Sequence, residues 1–158
     1  MVTFEPIGNV IIKNGRYFVN IEKRFLDALM GLEEFSHINV VWWFHLYDSN
    51  EARNYFVIDK PYTLGPEKIG VLATRSPIRP NPIAVTACEL IGIDKESCSI
   101  EVGYIDAEDG TPVLDIKPYH PSEDRVRDVR MPVWCSHWPV CHEDSGLFDW
   151  SKEFNFPE

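Results

Sequence analysis

Short runs in which apolar and polar residues alternate, each closed by turn residues, dominate the chain and predict a sheet-rich fold. Phe4 to Ile12 reads as a strand that ends at Lys13-Asn14-Gly15, with Tyr17 to Ile21 as its hairpin partner. Phe25 to Gly31 is the one plausible short helix: Phe25, Leu26, Leu29 and Met30 share a face, and Gly31 ends it. Ser36 to Tyr47 is the clearest strand. Its Ile38, Val40, Trp42, Phe44 and Leu46 form an apolar face. His37, Asn39, Val41, Trp43, His45 and Tyr47 form a mixed face suited to lining a pocket or meeting a partner. Tyr55 to Ile58 is a short extended piece inside a loop. Ile83 to Ile93 and Ser97 to Ile105 read as strands joined at Asp94-Lys95-Glu96, and Thr111 to Ile116 as a strand after a hairpin turn at Asp109-Gly110. Beyond Pro118 the chain turns polar and irregular. Its last segment mixes Trp134, Trp138, Phe148, Trp150, Phe154 and Phe156 with acids, which reads as a tail packed over a surface. The expected fold is all-β, an antiparallel barrel-like domain with a short helix and an irregular C-terminal tail.

Composition narrows this picture. At 158 residues the chain fits one domain, with a core over about 4–120 and a tail over about 121–158. Hydrophobic residues make up 44%, enough to build a core. Twelve prolines and nine glycines exclude long helices. The longest strongly apolar run, Ile38 to Leu46, is too short to cross a bilayer, and Met1-Val-Thr-Phe-Glu-Pro has no secretory signal pattern. The four cysteines therefore read as reduced thiols of a cytoplasmic protein. A net charge of −10 opposes a broad DNA- or RNA-binding face. The charge is uneven, however: residues 60–95 carry 5 basic and 3 acidic side chains, while residues 96–158 carry 5 and 14. The middle of the chain is where an anion is welcome.

Three segments hold candidate chemistry. In Arg75-Ser-Pro77-Ile-Arg79-Pro80-Asn81-Pro82, three prolines stiffen a loop that carries two guanidinium groups. Such a loop suits a carboxylate or phosphate, because little entropy remains to be lost on binding. The alternative is that the arginines pair with the protein's own acids. In Ile105-Asp106-Ala107-Glu108-Asp109-Gly110, acids crowd a turn and could accept hydrogen bonds from ribose or amino groups, or could simply shape the turn. Asp115 and Lys117 follow on one strand face and are placed to pair. Cys135, His137, Cys141 and His142 fall within eight residues, but their spacing matches no standard zinc module, so the expectation is no metal. No Gly-rich dinucleotide fingerprint or Walker loop occurs.

Three stretches, in order, resemble the TsaA-like family (YaeB-like, TrmO-type). They are Gly31-Leu-Glu-Glu-Phe-Ser-His37 with Trp42-Trp-Phe-His45, Gly70-Val-Leu-Ala-Thr-Arg-Ser-Pro-Ile-Arg-Pro-Asn-Pro-Ile83, and Asp109-Gly-Thr-Pro-Val-Leu-Asp-Ile-Lys-Pro-Tyr119. The resemblance implies S-adenosylmethionine as cofactor, bound on a β-barrel, and methyl transfer to N6 of threonylcarbamoyl-adenosine beside the tRNA anticodon. It also implies a homodimer with the cofactor near the subunit interface. Carried over by motif, the cofactor contacts are His45, Leu46, Arg75, Val85, Ile105, Asp106, Ala107 and Glu108. Asp115 and Tyr119 are the candidates for positioning the methyl acceptor, and Arg79, Asn81 and Lys117 are assigned to the substrate. Two features set the chain apart from longer family members. Asn9 to Lys13 runs straight into a hairpin where those members carry a cofactor-covering loop, and an acidic aromatic tail stands where they carry a further region. Cofactor binding is expected to survive both. Methylation of a small molecule or protein, or cofactor binding without catalysis, are the alternatives.

Overall fold

A computed structural model describes residues 3–155, so Phe156 of the expected aromatic tail lies outside the described residues. Its strands are β1 (Gly8–Lys13), β2 (Arg16–Ile21), β3 (His37–Trp43), β4 (Val57–Asp59), β5 (Lys68–Gly70), β6 (Ile83–Asp94), β7 (Ser99–Val102) and β8 (Pro112–Pro118). Residues divide into two compact units, one of 1–49 with 81–125, the other of 50–80 with 126–158.

The first unit is a closed barrel in the order β1-β2-β7-β6-β3-β8, with every pairing antiparallel. This bears out the all-β expectation. The β1–β2 link is a two-residue turn in which Asn14 and Gly15 take φ of 54° and 72°. Positive φ at both positions gives the turn a twist that matches the flanking strands. Closure needs strands that tilt and stagger. β6 supplies this by pairing with β3 through Ile83–Glu89 and with β7 through Leu90–Asp94, with an irregularity between Leu90 and Gly92. β8 has a similar register shift at the Val41/Trp42 level before it meets β1.

Inward side chains follow the period of two. Val10, Val19, Ile38, Val40, Ile100 and Val113 are fully buried, and Trp42 joins them, its indole N–H donating to Thr86 Oγ1 at 2.9 Å. On the outside of β3, His37, Asn39, Val41 and Trp43 stand opposite Glu89, Ala87, Val85 and Ile83 of β6.

The structure corrects several expectations. The first strand begins at Gly8 rather than Phe4, because Pro6 has no N–H for the ladder. The expected helix is a 3-10 helix, Lys23–Leu29, stopped before Gly31 at φ 86°. With three residues per turn, Leu26 and Leu29 share its inner face, while Met30 is left 78% exposed. The third strand ends at Trp43, not Tyr47. Phe44 N donates to Pro82 O at 2.7 Å, but Pro82 has no N–H to return the bond, and the chain turns into a 3-10 helix at His45–Tyr47. Leu46 is therefore 65% exposed instead of facing the core. Asp109-Gly110 is not a hairpin turn. β7 pairs with β2 and β6, and β8 with β3 and β1, so the turn belongs to a crossover.

The second unit contains the β4–β5 ribbon and an aromatic cluster. Tyr62, 8% exposed, stacks on Trp134 at 4.8 Å between ring centres, with Trp138 and Phe154 at 5.6 and 5.5 Å. Glu153 accepts hydrogen bonds from Trp138 Nε1 at 2.8 Å and His137 Nε2 at 2.9 Å, and these hold its carboxyl below the ordinary range. His137 is thus occupied by a carboxylate. Among the described residues no cluster of His, Cys, Asp and Glu could hold a metal ion, and Cys135 is buried at Tyr62 and Pro132.

The barrel admits one sharp stability test. A Cβ at Gly8 would stand 1.9 Å from Asn20 O, whereas one at Gly92 would meet nothing within 4 Å. Urea denaturation should show Gly8→Ala destabilised by at least about 2 kcal/mol, and Gly92→Ala unchanged within about 0.5 kcal/mol. Equal effects would contradict the β1–β2 packing.

Candidate functional site

The crossover into β8 is anchored to β1 by main-chain and side-chain hydrogen bonds. Gly110 N donates to Val10 O at 2.8 Å, Val10 N donates to Thr111 O at 2.8 Å, and Thr111 N donates to Glu108 O at 3.2 Å. Asp109 Oδ1 accepts from Ile12 N at 2.8 Å. Gly110 has φ 79°, a conformation that favours glycine. Together these bonds lay residues 108–111 against β1 and hold the preceding segment Ile105–Glu108 in place.

Across the same end of the barrel lies the end of β3. His45 Nδ1 is 3.3 Å from the hydroxyl of Thr111, which is 1% exposed. The Phe44–Pro82 bond sets Asn81, exposed at the mouth of β6, near that end. His45, Leu46, Asn81 and the turn of 108–111 are thus gathered at one rim.

The acidic segment divides by burial. Ile105 is 1% exposed and belongs to the core, so its side chain supports the segment from within. Ala107 is half-buried, and Asp106 and Glu108 are exposed. Tyr104 donates its hydroxyl hydrogen to Asp106 Oδ1 at 3.3 Å, and its ring meets Tyr17 edge-on at 5.3 Å. Partial burial, then the Asp106 carboxylate, pushes the Tyr104 hydroxyl up to about 12, so it stays a donor at neutral pH.

Val85, 48% exposed, stands opposite Val41, and Val41 stands opposite Asp115 on its other side. Two strand spacings, about 10 Å, separate Val85 from Asp115 on this outer face. Lys117 Nζ reaches Asp115 Oδ2 at 2.8 Å, as two residues on one strand face allow, and the bond raises the lysine's proton affinity. Tyr119 lies further away. Its N–H donates to His37 O at 3.0 Å, at the opposite end of β3, about 13 Å along the strand from Asp115.

Arg75 and Arg79 belong to the second unit. Their loop is braced by hydroxyl bonds: Thr74 Oγ1 donates to Val71 O at 2.8 Å, Ser76 N donates to Thr74 Oγ1 at 3.1 Å, and Ile78 N donates to Ser76 Oγ at 3.2 Å. Arg79 Nη1 lies 3.4 Å from Thr74 O, and Arg75 is exposed. Nearby in sequence, Lys68 is matched by Asp59 at 3.2 Å.

The acceptor groups of the acidic segment fit S-adenosylmethionine. Exposed carboxylates at Asp106 and Glu108 match a ribose diol and an adenine amino group, all of them hydrogen-bond donors. Ala107 has main-chain groups that make no hydrogen bond among the described residues. Two supporting residues escape the sequence reading: Tyr104 carries no signal there, and Thr111 stands inside a family stretch with no role assigned to it. Each matters through a partner that only the barrel closure brings near it. Asp109 reads as a turn residue, and its bond to Ile12 shows that it is also the anchor to β1.

Comparison with known proteins shows the family. The family model for the tRNA-methyltransferase O N-terminal domain matches residues 4–125. The chain belongs to that family. A Pyrococcus abyssi protein named "Probable S-adenosyl-L-methionine-binding protein" is 38% identical over 154 residues, covering 96% of this chain and 78% of that protein. The tRNA (adenine(37)-N6)-methyltransferase of Escherichia coli is 37% identical over 124 residues, covering 77% of this chain but 52% of the enzyme. A crystal structure of TrmO superposes with a TM-score of 0.66 at 28% identity, covering 89% of this chain and 66% of that one. TrmO from Pseudomonas aeruginosa gives 0.63 at 29%, covering 84% and 62%. The chain therefore spans about half of the Escherichia coli enzyme and less than two thirds of the Pseudomonas aeruginosa protein.

The anchoring of the turn can be tested by hydrogen exchange. Asp109→Ala removes the acceptor of the Ile12 amide, and exchange at Ile12 should accelerate about tenfold or more, with the Val19 amide unaffected. An unchanged Ile12 rate would show that the turn is held by other means.

Proposed function

We propose that the chain is an S-adenosylmethionine-dependent methyltransferase that acts on N6 of an adenosine beside the tRNA anticodon, with threonylcarbamoyl-adenosine as the acceptor nucleoside. The observation that carries this reading is the turn of 108–111, bonded to β1, which presents Asp106, Ala107 and Glu108 at the rim that also holds His45. Family membership over residues 4–125 supports it.

In this reading Asp106 and Glu108 take the ribose and amino groups of the cofactor. The main chain of Ala107 and the Leu46 segment flank the adenine. His45, tied to Thr111, lines the same rim. Arg75 binds the cofactor carboxylate, its loop stiffened by three prolines and three hydroxyl bonds. Val85 supplies apolar contact on the outer face of the barrel, and Ile105 holds the binding segment from the core side. When bound, the cofactor would supply a methyl group on a sulfonium for displacement by the acceptor N6 lone pair, which would release the neutral thioether and the N6 proton. The protein's part is alignment and exclusion of water. Asp115 positions the acceptor, being on the same face as Val85, with Lys117 fixing its carboxylate. Tyr119, at the far end of β8, is a more distant substrate contact, and Arg79 and Asn81 contact the RNA. Exposed Val85 with Val41 and Trp43 on one face favours a homodimer through that face. The reading places the enzyme in the cytoplasm, with its tRNA substrate. The described residues contain no helix long and apolar enough to cross a membrane.

The test is methyl transfer from radiolabelled S-adenosylmethionine to tRNA purified from cells lacking the N6 methyl group. Label should appear at the adenosine beside the anticodon. Asp106→Ala combined with Glu108→Ala should weaken cofactor binding about tenfold or more by calorimetry. Cofactor binding without transfer to tRNA would move the acceptor to a small molecule or a protein.

A further inference from the structure

The stretch from Pro121 to Val133 is exposed at every residue, and it carries Arg125, Arg127 and Arg130 with Asp128 as its one acid beyond Asp124. It has no strand or helix after Asp124 until a 3-10 turn begins at Val133. Elsewhere arginines are engaged: Arg16 with Glu101, Arg24 with Glu5 and Glu22, Arg53 with Pro80 O and Arg79 with Thr74 O. By contrast, the side chains of Arg125, Arg127 and Arg130 make no ion pair or hydrogen bond among the described residues. A chain of net charge −10 with 25 acidic side chains leaves three guanidinium groups in water within six residues. The stretch also carries Glu123, Asp124 and Asp128, but none of these acids is ion-paired with an arginine among the described residues. Asp124 is held by Asn39 Nδ2 at 2.8 Å and by His120 N at 2.9 Å.

We propose that Arg125, Arg127 and Arg130 form an RNA-binding arm that grips the phosphates of the single-stranded loop around the target adenosine. The proposal rests on the tRNA reading above and names residues that the reading does not use. An acidic protein repels a polyanion at distance, so a polyanionic substrate needs a local cationic handle. Guanidinium groups fit phosphates with paired hydrogen bonds and are weakly hydrated, which favours them over lysine in this role. Spacings of two and three residues in an extended chain put neighbouring arginines about 7 and about 10 Å apart at most. That span lets each meet its own phosphate. The arm's flanking Val126 and Val129, 68% and 64% exposed, are free to pack on sugar or base faces of an unstacked loop.

The experiment compares the wild-type chain with the triple variant Arg125→Ala, Arg127→Ala, Arg130→Ala. Binding of unmodified tRNA is followed across roughly 50 to 200 mM salt. All three side chains are exposed and unbonded, so circular dichroism and the affinity for S-adenosylmethionine should be unchanged. The slope of log K against log salt should fall in magnitude by about 2, at about 0.7 for each single-strand phosphate that an arginine no longer neutralises. KM for tRNA should rise about tenfold or more with kcat little altered. A triple Arg→Lys variant should recover much of the slope but less of the affinity. If the wild type binds and methylates tRNA and the variant keeps its slope, the arm is refuted and the methyltransferase reading stands. If the wild type binds tRNA with the expected slope change but transfers no methyl group, the arm stands and that reading fails. If the wild type does not bind tRNA, both fall.

Discussion

The seam between β1 and β8 is the constraint on which the rest of the barrel depends. Without it the six strands would form an open sheet. Bonds from Ile7 N to Val113 O, Val10 N to Thr111 O and Gly110 N to Val10 O join the first strand to the last and close it. Closure removes both sheet edges and seals a core of small branched residues, with Val10, Val19, Ile100 and Val113 at its centre. The same bonds immobilise the turn of 108–111, so the element that completes the fold also presents the acidic segment at the rim. On the proposed reading, cofactor binding uses no helix N-terminus and no Gly-rich loop. A turn pinned to a strand is the element proposed to do the positioning.

Tyr104 and Thr111 show how the barrel passes its rigidity to polar groups. Thr111 is buried and holds the His45 ring; Tyr104 leans on Tyr17 of β2 and holds the Asp106 carboxylate. A ligand that meets His45 and Asp106 finds them already oriented, and loses little entropy on their account. The arginine-bearing loop is stiff for a different reason, its prolines and hydroxyl bonds, and belongs to a unit whose own stability comes from stacked aromatic rings around Tyr62.

Much of this is legible in the amino-acid sequence because strand alternation and turn chemistry are local. Ile38, Val40 and Trp42 face inward as the period of two requires, and Asn14-Gly15 makes the tight turn that its residue types demand. The Asp115–Lys117 pair follows from two side chains on one face of one strand. What the sequence hides depends on partners distant along the chain. The end of β3 is decided by Pro82, nearly forty residues away, and so Leu46 lies outside although alternation assigns it to the apolar face. Asp109-Gly110 has every mark of a hairpin, and only the closure onto β1 makes it a crossover turn. The family motifs point to Ile105–Glu108 as one contact block. Burial separates Ile105, inside the core, from the exposed carboxylates that follow it.

On the proposed reading, S-adenosylmethionine binds at the rim built by the 108–111 turn and the end of β3. Titration of the isotope-labelled chain with S-adenosylmethionine, followed by amide NMR, tests it most directly. Saturable shifts should concentrate at Leu46, Val85 and Asp106 to Glu108, with Gly92 to Glu101 on the far strands unmoved. Saturable binding whose shifts fall elsewhere, or no binding at millimolar cofactor, would contradict the account.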